Sequence, residues 1–113
     1  MDAAGMQVSL CVLRWAVPGR PDAMREYEDQ VLRFVPEHGG VVVHRLRASG
    51  IDDEPTEIQF IEFASQAGFD SFMRDERRIQ LSDLRDASVA RTQVLRVTQA
   101  QQASPTEDLD LNP

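Results

Sequence analysis

The chain has 113 residues, 42% of them hydrophobic and 27% charged, which is enough for one globular domain around one core. Twelve basic residues, every one an arginine, stand against nineteen acidic ones for a net charge of −7. That balance excludes the basic face a nucleic-acid or anionic-membrane binder needs, and the absence of lysine excludes Schiff-base and pyridoxal chemistry.

Residues 1–5 read as a disordered start. Gln7–Val17 (QVSLCVLRWAV) is rich in apolar and β-branched residues and predicts a strand. It holds Cys11, the sole cysteine, so no disulfide can form within the chain and a reducing, cytoplasmic setting is expected. Pro18-Gly19-Arg20-Pro21 is a turn that leads into a helix, with Pro21 at the first helical position. Met24, Tyr27, Val31 and Phe34 or Val35 then recur at helical spacing, and Asp22, Glu26 and Glu28 suit the positive end of that helix. Pro36 and the Gly39-Gly40 pair end it.

Val41–Arg47 (VVVHRLR) and Glu57–Phe63 (EIQFIEF) predict two more strands. The short polar connection between them allows only a long-looped hairpin, since a parallel crossover needs more chain. Ser65 is a candidate N-cap for a helix carrying Phe69, Phe72 and Met73. Asp75 restarts a helical piece with Ile79, Leu81 and Leu84. Thr92–Thr98 predicts the fourth strand, and residues 100–113, with Glu107, Asp108 and Asp110, read as an acidic disordered tail. The domain is therefore expected over residues 6–99. No apolar run is long enough for a membrane span or a secretory signal.

The order βαββαβ, folded with right-handed crossovers, is an α+β ferredoxin-like plait with a four-stranded antiparallel sheet in the order 4-1-3-2. Both helices cover one face of that sheet. Yet the strands are apolar on both faces. Val8, Leu10 and Val12 oppose Cys11, Leu13 and Trp15; Ile58 and Phe60 oppose Ile61 and Phe63; Leu95 and Val97 oppose Val94. A second copy packed sheet to sheet would cover the uncovered face, so a homodimer is expected.

This element order resembles the dimeric α+β barrel superfamily, including its small antibiotic-biosynthesis monooxygenases and uncharacterised one-domain members. The likeness spans about residues 6–99. It also rests on Glu57–Phe63 followed by Ser65, Phe69 and Phe72, on Asp75-Glu76-Arg77-Arg78, and on the closing strand Arg91-Thr92-Gln93-Val94-Leu95-Arg96-Val97. The resemblance implies a dimeric barrel with a pocket between sheet and helices in each subunit, and cofactor-free chemistry of oxygenase, cyclase or isomerase type. Monooxygenase-type relatives use Asn, Trp, Tyr and Arg side chains; this chain offers Trp15, Tyr27 and its arginines, and its one Asn is Asn112 in the tail.

Few groups titrate near neutrality. His38, at the end of the first helix, reads as a solvated imidazole favourable to the helix C-terminus. His44 lies mid-strand, between Val42 and Leu46 on one face, and is the candidate general base. An even hairpin register places Glu62 on the same face, where it can orient His44 or act in its place. Arg96 or Arg14 can stabilise a developing enolate. Trp15, His44, Glu62 and Arg96 form one candidate set, and Arg14, Arg45, Arg47 and Gln59 form the competing face. Trp15 and Phe60 offer flat apolar surface to a small apolar or aromatic ligand, with Arg14 and the Tyr27 hydroxyl as polar contacts. The alternative for both sets is a network of ion pairs across a dimer interface. Arg74, Arg77 and Arg78 read as a solvated helix face or as a greeting for an anionic substrate. One cysteine and two histidines without ligand spacing give no metal site, and no phosphate-binding or nucleophile-elbow motif occurs. The sequence thus points to a cofactor-free enzyme acting by proton transfer on an apolar carbonyl compound, with a non-catalytic ligand-binding dimer as the alternative.

Overall fold

The computed structural model describes residues 7–99. The expected disordered ends, residues 1–5 and 100–113, lie outside that range. Strand β1 spans Val8–Ala16 and helix α1 Pro21–Val31, continued by a 3-10 turn over Leu32–His38. Strands β2 (Gly40–Arg47) and β3 (Glu57–Phe63) follow, then three short helices, α2 (Gln66–Met73), α3 (Glu76–Gln80) and α4 (Ser82–Ser88), and last β4 (Val89–Arg96). The sheet order is β2-β3-β1-β4 with antiparallel neighbours throughout, which is the expected 4-1-3-2 read from its other edge.

Local chemistry explains the breaks. Pro21 opens α1 without needing an N–H partner. Gly39 closes the 3-10 turn in the left-handed region, at φ 74°, where a side chain would be strained. Ser65 caps α2 by accepting from the Gly68 N–H at 3.0 Å, and Asp75 caps α3 by accepting from the Arg77 N–H at 2.9 Å. The expected helical piece after Asp75 divides at Leu81, and the final strand begins at Val89 instead of Thr92.

The core lies between the sheet and its helices. Val8, Leu10, Val12, Ile61 and Phe63 face Met24, Tyr27, Val31, Val35 and Phe72, all buried. Each such side chain stabilises the fold by about 1.5–3 kcal/mol relative to an exposed position. The other face carries Cys11, Leu13, Trp15, Phe60, Glu62 and Leu95, and no helix among the described residues covers it.

One correction concerns register. A β-bulge in β2 makes Val43 an extra residue: Val42 pairs with Ile61, but His44 pairs with Phe60. The inserted residue reverses the alternation. Val42 therefore joins the helix-covered face, whereas His44 and Leu46 point to the open one. Arg45 and Arg47 move to the helix-covered face, opposite Gln59 and Glu57.

Candidate functional site

The helix-covered face holds a cavity of about 450 Å³. Its sheet side is the row Leu10, Val12, Ile61 and Phe63, and its helix side includes Phe69, Phe72 and Met73. Its polar lining is Arg14, Thr92, Arg78 and Arg85. Strand alternation explains Arg14: it sits two residues beyond Val12, so the apolar row of β1 ends in a cation on the same face. Arg14 Nη1 donates to Thr92 Oγ1 at 2.8 Å, and its guanidinium carbon lies 5.9 Å from the Tyr27 ring centroid. Its Nε is 3.0 Å from Glu28 Oε1, an ion pair in which that N–H is not aligned for a hydrogen bond.

Behind Arg14 runs a buried polar strip. Glu28 and Gln59 are both 0% exposed. Gln59 Nε2 donates to Glu28 Oε1 and to Glu57 Oε2, each at 2.6 Å. Arg45 donates to Glu57 at 2.8 Å and to Asp29 at 2.6 Å, carrying the strip to the surface. Glu28 Oε2 and Gln59 Oε1 have no partner among the described residues. Burial raises the Glu28 pKa above the ordinary carboxylate range, and the opposing pull of Arg14 does not cancel it. Burial likewise raises the Tyr27 phenol and lowers the Arg78 guanidinium. These ion pairs lie within one protomer, so the competing set of Arg14, Arg45 and Gln59 does not depend on an interface to be neutralised.

The first candidate set is divided by the structure. His44 and Glu62 line one shallow cleft of about 140 Å³ on the open face, with Phe60 and Ser9. Glu62 pairs directly with Val41, because the even register holds only after the bulge. His44 stands edge-on to Phe60, with ring centroids 6.0 Å apart. Trp15 is also on the open side; its Nε1 donates to the Asp53 carbonyl at 2.8 Å, and Arg91 covers its ring at 4.2 Å. Arg96 does not join them. It pairs with Leu10 on the helix-covered face and lies 5.7 Å from the Phe69 ring. Of the expected ligand contacts, Arg14 is at the cavity and Tyr27 packs beside it, whereas Trp15 and Phe60 face away.

His38 departs from the solvated imidazole expected of it. Its Nδ1 is 2.8 Å from Ser71 Oγ and its Nε2 2.8 Å from Asp75 Oδ2. Hydrogen bonds from Arg77 and His38 hold the Asp75 carboxyl far below its usual range, so it accepts, and Nε2–H donates. The network ties the 3-10 turn to α2 and to the start of α3. It thereby fixes the helices that supply Phe72 and Arg78 to the cavity. Helical spacing could not have announced it, because α2 ends at Met73 and Asp75 is the extended cap of the next helix.

No group of three His, Cys, Asp or Glu residues suited to a metal ion occurs among the described residues. No helix among them is long and apolar enough to cross a membrane.

An antiparallel 4-1-3-2 sheet with helices on one face and a cavity beneath them defines the class: a ferredoxin-like α+β domain, the fold of the dimeric α+β barrel proteins. Solved structures bear this out. A protein of unknown function from Rhodopseudomonas palustris is similar with a TM-score of 0.72 at 17% identity, over 87% of this chain and 85% of that one. SnoaB, a cofactor-independent oxygenase from Streptomyces nogalater, gives 0.65 at 13% identity, over 88% and 98%. A dimeric protein of unknown function and ferredoxin-like fold from Bacteroides fragilis gives 0.63 at 7% identity, over 80% and 94%. No protein-family model and no curated protein matches the chain. At these identities the likeness is one of fold.

Proposed function

We propose that the protein is a homodimeric, cofactor-free enzyme of the cytoplasm that acts by proton transfer on an apolar, polyketide-like carbonyl compound held between its sheet and helices. The observation that carries this reading is the cavity of about 450 Å³ with Arg14 in its wall. A carbon next to a carbonyl loses its proton only as negative charge gathers on the oxygen. A guanidinium already fixed by Thr92 and Glu28 stabilises that charge without having to reorganise. Glu28, fully buried behind Arg14 and outside the cavity lining, holds that guanidinium in place, and the proton passes from the carbon to solvent water admitted with the substrate. A cyclase or isomerase would use the resulting enolate directly, and an oxygenase would let dioxygen react with it. The similarity to a cofactor-independent oxygenase supports the cofactor-free part of the reading.

The dimer is proposed through the open sheet face. Val41 is 59% and Leu46 49% exposed there, on a face that no helix among the described residues covers. The Bacteroides fragilis protein, described as dimeric, supports the same arrangement.

A second reading places the chemistry in the cleft of His44 and Glu62, which unites an imidazole and a carboxylate. At about 140 Å³ that cleft is smaller than the roughly 300 Å³ at which ligand pockets begin. The helix-side cavity is therefore preferred, with Arg96 placed near its rim over Phe69.

The test is deuterium exchange of 2-tetralone, an apolar enolisable ketone, in D2O with the full-length chain, followed by NMR beside an oxygen electrode. Exchange above the buffer rate that is lost in Arg14→Gln supports the reading, and oxygen uptake assigns the oxygenase form. Loss in His44→Gln alone moves the site to the cleft. Binding with neither exchange nor uptake overturns the enzyme reading in favour of a non-catalytic ligand-binding dimer.

A further inference from the structure

We propose that the substrate is an organic acid, an apolar body with a single carboxylate, and that Arg78 is the residue that receives that carboxylate. This deepens the proposed function and rests on its cavity. Three guanidiniums line that cavity, and two are already matched. Arg14 lies 3.0 Å from Glu28, and Arg85 lies 3.2 Å from Asp86. Arg78 has no carboxylate within ion-pair distance among the described residues. Its one hydrogen bond there runs from Nη1 to the Met73 carbonyl at 3.3 Å, which is long.

A guanidinium carries five N–H donors, so Arg78 keeps most of its capacity free at the cavity wall. The charge is partly desolvated, as the lowered pKa of the group also shows. A half-buried cation without a counter-ion is costly, and a bound anion removes that cost. The planar fork of Arg matches a carboxylate through two parallel bonds. Phe72, whose ring lies 5.7 Å from the Arg78 guanidinium carbon, offers the apolar surface beside it. The position is also held in place. Arg78 extends from α3, which Asp75 caps, and Asp75 is bonded to His38. The recognition site is therefore preorganised at the N-terminal part of α3 and does not have to be assembled by the ligand.

Isothermal titration of the full-length chain with 2-naphthoate and with its neutral isostere 2-naphthamide tests this. The expected result is that wild-type protein binds naphthoate at least about tenfold tighter than naphthamide, roughly 1.4 kcal/mol. Arg78→Gln should abolish that preference while keeping naphthamide affinity. Arg78→Met, which keeps apolar contact with Phe72, should do the same. Arg74→Gln, an exposed neighbour outside the cavity wall, should leave the preference intact. Equal binding of acid and amide by wild type overturns the inference and leaves the cavity reading standing. A preference that survives in both Arg78 variants also overturns it. Binding of neither compound overturns both.

Discussion

Arg14 and Glu28 touch at 3.0 Å, but their surroundings differ: the Arg14 side chain is 14% exposed and that of Glu28 0%. Removing either partner therefore has unequal consequences. In Arg14→Gln a fully buried carboxylate loses its cation, a change that costs about 3–5 kcal/mol. The cost has a ceiling, because the carboxylate can escape by taking up a proton. Holding a carboxyl neutral costs about 1.36 kcal/mol per pH unit above its unfolded pKa of about 4.3. The ceiling is thus about 1 kcal/mol at pH 5 and about 5 kcal/mol at pH 8. The sign follows from the raised pKa of Glu28. The folded state binds this proton more tightly than the unfolded state, so stability falls as pH rises through the interval between the two values, and acid restores it. In Glu28→Gln, by contrast, Gln59 keeps an acceptor and Arg14 keeps its bond to Thr92 and its access to solvent. That change should cost only about 1 kcal/mol, nearly independent of pH. Urea unfolding followed by circular dichroism at pH 5 and pH 8 measures all four values. A deficit in Arg14→Gln that is the same at both pH values, or a Glu28→Gln cost equal to it at pH 8, would refute the reasoning.

Gly40→Ala places a methyl 2.6 Å from Val35 Cγ1 and 2.8 Å from Phe63 Cε1, in the core, so it should lose about 1–3 kcal/mol of stability on chemical denaturation. His38→Ala should release α2 and α3, seen as faster hydrogen exchange in residues 66–80 and a lower Tm, with β1 and β3 unaffected. Because the Asp75 carboxyl is held so low, the wild-type brace should survive acidification through the usual carboxylate range and fail only below it. Leu46→Asp on the open face should convert the sedimenting species to a monomer without unfolding it; a monomeric wild-type chain would discard the dimer outright.

Much of the fold was legible because punctuation and pattern agreed. Glu57–Phe63 was bounded correctly, with polar loop residues before it and Ser65 ready to cap the next helix. Gly39 marked its own left-handed turn. The faces of β1 and β3 followed from alternation, whereas Arg96 was grouped with Trp15 and His44 although alternation with Val94 assigns it to the helix-covered face. The misreadings have local causes. In VVVHRLR, three successive valines carry no marker of parity, so nothing revealed that Val43 is the inserted residue. That one residue takes Val42 off the face of His44, while Glu62 and Phe60 stay on it as expected. Arg78 was named with Arg74 and Arg77 as a group that could meet an anion, but Arg85 was hidden because the helical stretch after Asp75 breaks at Leu81, and a broken helix resets the phase on which face assignment depends. Glu28 was read as a complement to the helix dipole. Its spacing, four residues after Met24 and three before Val31, already placed it on the apolar face, and a carboxylate there needs a buried partner.

The charge of the protein is distributed unevenly between its exterior and the cavity wall. The whole chain is acidic, at −7, and on that ground alone would repel an organic acid. Repulsion between exposed charges fades beyond a Debye length of about 8 Å at physiological salt, whereas an interaction inside a cavity is screened far less. The field that an anion meets at contact is therefore that of the wall. There the arginines stand on separate elements, Arg14 on β1, Arg78 on α3 and Arg85 on α4, and their counter-ions are Glu28 behind Arg14 and Asp86 on the surface. An acidic exterior with a cationic wall is the charge pattern expected if the proposed ligand is a small acid whose own apolar body carries it into the cavity.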